Sequence, residues 1–150
     1  MPEGTFGGPY IQVAAICTTP LIEQSGYLSV IRIQDRIQLA GITDQMKPQP
    51  LGSLFLVLAL KAGELNGKYM LQITPITPST KRLPGLSFSV LFEGQERGAI
   101  LTVPLNIVAE EEGLYWFEIT LEDMILTKIP LRVMYQKLSL PGILFPPQGG

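Results

Sequence analysis

Histidine is absent from the 150 residues. Its absence excludes Ser-His-Asp hydrolysis, Cys-His proteolysis, His-ligated zinc and the commonest general base near neutral pH. A single cysteine, Cys17, rules out an intramolecular disulfide and with it a stapled secreted scaffold. Cys17 closes the apolar run Ile11–Cys17 and has no cationic neighbour in sequence to activate it, so it reads as a buried, inert thiol. Basic excess is missing too. The chain carries 11 Lys and Arg against 13 Asp and Glu, and the cations are scattered from Arg32 to Lys137. Lys81-Arg82 is the nearest approach to a basic cluster and reads as a solvated loop, so no nucleic acid is expected as a partner.

Long apolar runs are also lacking. The longest, Leu54–Leu60, is far too short to span a bilayer, and no Lys or Arg precedes the first apolar stretch as in a secretory leader. No membrane partner is expected, and the expected address is the cytoplasm. Phosphate-cradling, dinucleotide-binding, Cys-x-x-Cys and Gly-x-Ser-x-Gly patterns do not occur. The expectation is therefore a protein that is not an enzyme and takes no cofactor.

What is present is alternation. Hydrophobic residues make up 46% of the chain, and 15 glycines and 13 prolines punctuate them. Tyr10–Cys17 alternates with Ile11, Val13, Ala15 and Cys17 on one face, and Thr18-Thr19-Pro20 is expected to stop it. Leu21–Ser25 reads as a loop or short helical turn. Tyr27–Leu39 follows with Ile31, Ile33, Ile37 and Leu39 inward, Asp35 marking a bulge or bend. Leu51–Ala62 is apolar on both faces, as a central strand is. Gly63–Gly67, with its Asn66-Gly67 pair, reads as a hairpin turn, and Glu93–Gly98 reads as another turn. Leu86–Glu93 and Ala99–Val108 alternate cleanly, and Pro104 suggests an edge strand. The last hairpin is the clearest. Tyr115, Phe117, Ile119 and Leu121 point in, Glu122-Asp123 turns, and Ile129, Leu131, Val133 and Tyr135 return.

These segments predict an all-β chain, a single-domain antiparallel β-sandwich of about eight strands. Residues 1–9 are expected to be a flexible arm, 10–137 the β domain, and 138–150 an extended apolar arm. The stretch from Gly113 through Leu121, with Ile129-Pro130-Leu131-Arg132-Val133, resembles the last hairpin of an uncharacterised bacterial family of small β-sandwich proteins. In that family a Gly-x-Tyr-x-Phe strand precedes an Ile-Pro-Leu-x-Val strand. The strand ending at Cys17 and the one opened by Gly26 are similar to the family's start. The resemblance implies a fold and carries no activity, cofactor or catalytic residue.

Three features invite a functional reading. Glu110-Glu111-Glu112 leaves two readings, a solvated turn and a calcium loop; without alternating aspartates the pattern fits the turn better. Glu118, outward beside Trp116, reads as a surface residue rather than half of a glycosidase pair. Trp116 falls on the face opposite Tyr115 and Phe117, where an exposed indole marks a sugar platform or a protein interface. After the last strand come Leu138, Leu140, Ile143, Leu144 and Phe145, interrupted by Pro141 and closed by Pro146-Pro147. With Trp116 they are the interface candidates. The expected function is a non-catalytic protein–protein interaction module or structural subunit of a bacterial or phage assembly, paired with a protein partner or with itself. A carbohydrate-binding or calcium-dependent sandwich is the alternative.

Overall fold

The computed structural model describes residues 7–139 of the chain. Among them there is no helix, and nine strands carry the fold: β1 (Tyr10–Ile22), β2 (Leu28–Ile33), β3 (Arg36–Gly41), β4 (Gln49–Pro50), β5 (Phe55–Ile76), β6 (Leu86–Pro104), β7 (Val108–Ala109), β8 (Gly113–Leu121) and β9 (Met124–Lys137). Seven form one sheet in the order β2-β1-β5-β8-β9-β3, with β6 also paired to β5; β4 and β7 make a small separate ribbon. The all-β expectation holds. The expectation of purely antiparallel pairing does not, because β3 lies parallel to β9 from Arg36↔Arg132 to Gly41↔Lys137. The reason lies in the bend at Gln34-Asp35. The Gln34 N–H donates to Ile16 O on β1, while Asp35 O accepts from the Arg132 N–H on β9. One extended stretch thus leaves β1 as β2 and reaches β9 as β3. The two ends of the sheet order are two residues apart in the chain, so the sheet curls back towards itself.

The 22-residue β5 is the axis of the molecule. β6 follows one of its edges from Phe55↔Pro104 to Ile73↔Leu86. The other edge is shared, by β1 opposite Phe55–Lys61 and by β8 opposite Leu71–Ile76. Both turns expected inside this pair are absent, and each strand continues through its segment without reversing. Gly63–Gly67 and Glu93–Gly98 are instead matched irregularities in the β5–β6 ladder. Gly63, Gly67, Gly94 and Gln95 do adopt positive φ, the conformation that tight turns require, but here they kink two strands together. The kink has a use. The core residues of β5 change from Leu56, Leu58 and Leu60 to Leu71 and Ile73, and those of β6 from Val90 and Phe92 to Val103. An irregularity that shifts the side-chain phase keeps the apolar set pointing at the core on both sides of the bend.

The core is one cluster to which β5, β6, β8 and β9 give most of the side chains, with Tyr115, Phe117, Ile119, Leu131 and Val133 in place as the alternation indicated. The Tyr115 hydroxyl donates to Glu111 O at 2.8 Å, which satisfies its one polar atom in the manner of a tyrosine corner. The first part of β5 is buried on both faces, as expected of a central strand. On β1 Ala15 and Cys17 of the expected inward set are buried, but the residue that joins the main core cluster is Ile16, on the opposite face. A register shift between Ile11 and Val13 breaks the simple alternation, and Ile11 is left exposed.

Cys17 is buried, as its position in the apolar run indicated. Burial pushes its thiol pKa up, partly offset by a hydrogen bond with the Thr19 backbone. Cys17→Ala is expected to cost under about 2 kcal/mol, since a small apolar group is lost and little cavity remains. A thiol that stays protonated in the folded state stabilises fully below its unfolded pKa, and that contribution fades as pH rises past 9. Chemical denaturation of both proteins from pH 7 to 10.5 checks this: wild type should lose more stability than Cys17→Ala. Fast labelling of the native thiol contradicts the burial.

Candidate functional site

Two exposed regions combine apolar surface with defined geometry. The first is the outer face of β8, β9 and β3. Trp116 stands opposite Pro130, and Leu114 opposite Arg132, which in turn neighbours Arg36. These side chains and Asp35 line a shallow depression of about 370 Å³. Arg36 Nη1 lies 3.6 Å from Asp35 Oδ1. Trp116 is 36% exposed, so it keeps part of its ring in solvent on the face opposite the buried Tyr115 and Phe117. The alternation located this residue correctly. Its cationic neighbour Arg36 lies 80 positions away in sequence and reaches it only through the β3–β9 pairing.

The second region was not legible from the alternation. β1 leaves β5 at the pair Cys17↔Phe55 and continues to Ile22, paired there, among the described residues, only with β2. Pro20 was expected to end this strand. It sits instead opposite Val30, where among the described residues one edge of β1 has no neighbour, and a proline nitrogen facing that edge costs no ladder bond. The loop between the strands is held by its own hydrogen bonds: Glu23 N–H to Tyr27 O, Gly26 N–H to Glu23 O (both 2.8 Å) and Ser29 Oγ to Glu23 Oε2 (2.9 Å). The result is a hairpin of two strands beyond the wider sheet. Leu21, Ile31 and Ile33 lie on one of its faces and Ile22 on the other, by the register of the pairs. Those four and Tyr27 in the loop are between 46 and 72% exposed. Ile31 and Ile33 were expected to point into the core; they do not. Among the described residues the hairpin has no third strand or opposing layer to cover them.

Glu118 also departs from expectation. It is buried, and Arg82 Nη1 and Nη2 donate to its Oε1 at 3.0 and 2.8 Å, with Lys128 Nζ at 3.8 Å from Oε2. The carboxylate locks the loop before β6 onto β8 and is occupied in doing so. The acidic turn is likewise engaged: Ser79 Oγ donates to Glu111 Oε2 at 2.7 Å. Among the described residues no group of three or more acidic or thiol side chains is placed to hold a metal ion. No helix among them is long and apolar enough to cross a membrane. Of the expected C-terminal arm, Leu138 is exposed and its N–H donates to Gly41 O at 2.7 Å. Leu140, Ile143, Leu144 and Phe145 lie outside the described residues. Neither protein-family models nor curated proteins give a match to this chain.

Proposed function

We propose that the chain is a non-catalytic protein–protein interaction module, a structural subunit that docks through the Thr18–Ile33 hairpin. The observation that carries this reading is the solvent exposure of Leu21, Ile22, Tyr27, Ile31 and Ile33 on so short a segment. Large apolar side chains clustered on a structure held rigid by its own hydrogen bonds are what an interface needs. They offer area without a large ordering cost on binding. The hairpin's chemistry suits an apolar groove, or the side of another β layer.

Ile31→Asp/Ile33→Asp tests the proposal. The two substitutions lie outside the core cluster, so the melting temperature of the isolated protein should move by only a few degrees. Wild type should form a complex of defined mass by multi-angle light scattering with proteins of its source cell, and the variant should not. A partner retained equally by both, or a wild type that is monomeric and alone, overturns the assignment.

A second reading is a carbohydrate-binding surface, favoured by the Trp116 depression. An indole face beside two guanidiniums and a carboxylate can stack on a sugar ring and hydrogen-bond its hydroxyls. Trp116 is the only tryptophan in the chain, so its fluorescence during titration with a sugar panel reports on this surface directly.

A further inference from the structure

The edge of β5 that faces away from β6 changes hands in its middle. β1 covers it as far as Lys61, and β8 takes it up at Leu71. Hydrogen bonds narrow the interval from both ends. The Glu64 N–H donates to Gly7 O at 2.6 Å. At the far end the Met70 N–H donates to Glu122 Oε2 at 2.6 Å, and Met70 O accepts from the Glu122 N–H at 2.8 Å. Alternate residues of a strand turn their N–H and C=O to the same edge. Glu64 and Met70 agree in that phase, so Asn66 and Lys68 turn theirs to this edge too. Among the described residues no strand meets them there. Beside the interval lies a shallow depression of about 350 Å³, with Leu65, Tyr69, Leu121 and Met124 in its wall.

We infer that residues 2–6 of the same chain fill this interval as a strap, antiparallel to β5, that closes the sheet between β1 and β8. Residues 1–6 lie outside the described residues, but the chain next to them already sets the alignment. Ile11↔Leu60, Tyr10↔Lys61 and Gly7 opposite Glu64 all belong to one register. The backbones are pressed together there, since a Cβ on Gly63 would meet Gly7 O at 2.5 Å and Gly8 Cα at 3.1 Å. Continued without a shift, this register sets Phe6 against Leu65, Glu3 against Lys68 and Pro2 against Tyr69. Opposed residues share a face of the sheet. Phe6 and Pro2 therefore fall on the side where Leu65 and Tyr69 pack on the core, over the apolar depression. Glu3 falls on the other side, beside the exposed Lys68 and opposite to it in charge. The strap's hydrogen bonds to β5 come from Thr5 and Glu3, so Pro2 occupies a position whose missing N–H costs no ladder bond. Face, charge and proline position each agree with a register that none of them was used to set. The strap is separate from the Thr18–Ile33 hairpin, and either assignment can fail without the other.

Amide hydrogen exchange of the full chain, read residue by residue by NMR, tests the strap. Wild type should protect the Asn66 and Lys68 amides, to the same degree at every protein concentration. Phe6→Asp should speed exchange at both by about tenfold or more, the effect of taking an aromatic ring out of apolar contact. Glu3→Lys and Lys68→Glu should each speed it about two- to fivefold, and Glu3→Lys/Lys68→Glu should restore the protection. The charge variants change exposed positions, so the amides of the β8–β9 ladder should exchange as in wild type and serve as the reference. Four results overturn the proposal. Asn66 and Lys68 exchange unprotected in wild type, as they would if the edge is open or waits for a different protein; or Phe6→Asp leaves their protection intact; or the charge swap fails to restore it; or protection falls on dilution together with a dimeric mass, which would make a second copy the source of the strap.

Discussion

Gly98→Ala is expected to destabilise the protein by about 3 kcal/mol or to prevent folding, a larger effect than adding one methyl group to an exposed strand position should have. Gly98 pairs with Lys61 where β5 and β6 kink together. A Cβ there would lie 1.6 Å from Leu60 O, 2.7 Å from Leu60 C and 2.9 Å from Lys61 Cα. All three are backbone atoms of the neighbouring strand, so no side-chain rotation relieves the clash. The strands must separate, and ladder hydrogen bonds on either side of the kink are lost. Each bond contributes about 1 kcal/mol net, and a buried group left unpaired costs about 1–3 kcal/mol, so two or three affected groups bring the total to the stated size. Gly67 is the control. It has positive φ (107°) but nothing within 4 Å of an added Cβ, so Gly67→Ala carries only the backbone strain of about 1–2 kcal/mol. Urea denaturation of both variants compares them directly. A Gly98→Ala protein within about 0.5 kcal/mol of wild type would mean that the strands have slack at the kink that the close approach denies.

The same kink shows where reading from sequence stops. Asn66-Gly67 and Gly94-Gln95 carry the chemistry of left-handed backbone, and the structure uses it. Whether such residues reverse a chain or bend it depends on what lies alongside, and here each segment has the other strand to follow. Local pattern has no access to that choice. It succeeds where strands meet through a tight connection, as in β8 and β9, whose inward set from Tyr115 to Val133 was read correctly from alternation alone. It fails for β3, whose parallel partner β9 is 96 residues further along. It also fails for Ile31 and Ile33, which alternate with Arg32 and Gln34 as core residues would. Nothing in that alternation says that the wider sheet ends at Cys17 and leaves both isoleucines in solvent. Of the candidate surface, Trp116 was legible because one strand's phase decides its face. Arg36 and Arg132 come to it through pairings that only the folded chain reveals.

The Arg82–Glu118 pair was hidden for the same reason, and it yields an asymmetric expectation. Only 7% of the Glu118 side chain is exposed, against 56% for Arg82 and 49% for Lys128. Removing Arg82 therefore strands a buried carboxylate with Lys128 at 3.8 Å as its remaining ionic contact. Removing Glu118 instead leaves two cations that water can solvate. Arg82→Ala is expected to cost about 3 kcal/mol, at the lower end of what breaking a buried pair costs, because Lys128 still offsets part of the charge. Glu118→Leu is expected to cost about 1 kcal/mol, since it forfeits charged hydrogen bonds but removes the desolvated charge and restores apolar packing. The double variant Arg82→Ala/Glu118→Leu should then be more stable than Arg82→Ala alone, an inversion that additive losses do not produce. Denaturant unfolding of the three proteins at pH 7 tests this order. If Arg82→Ala costs no more than Glu118→Leu, water reaches the carboxylate and the burial of Glu118 does not control the energetics of the loop that Arg82 holds.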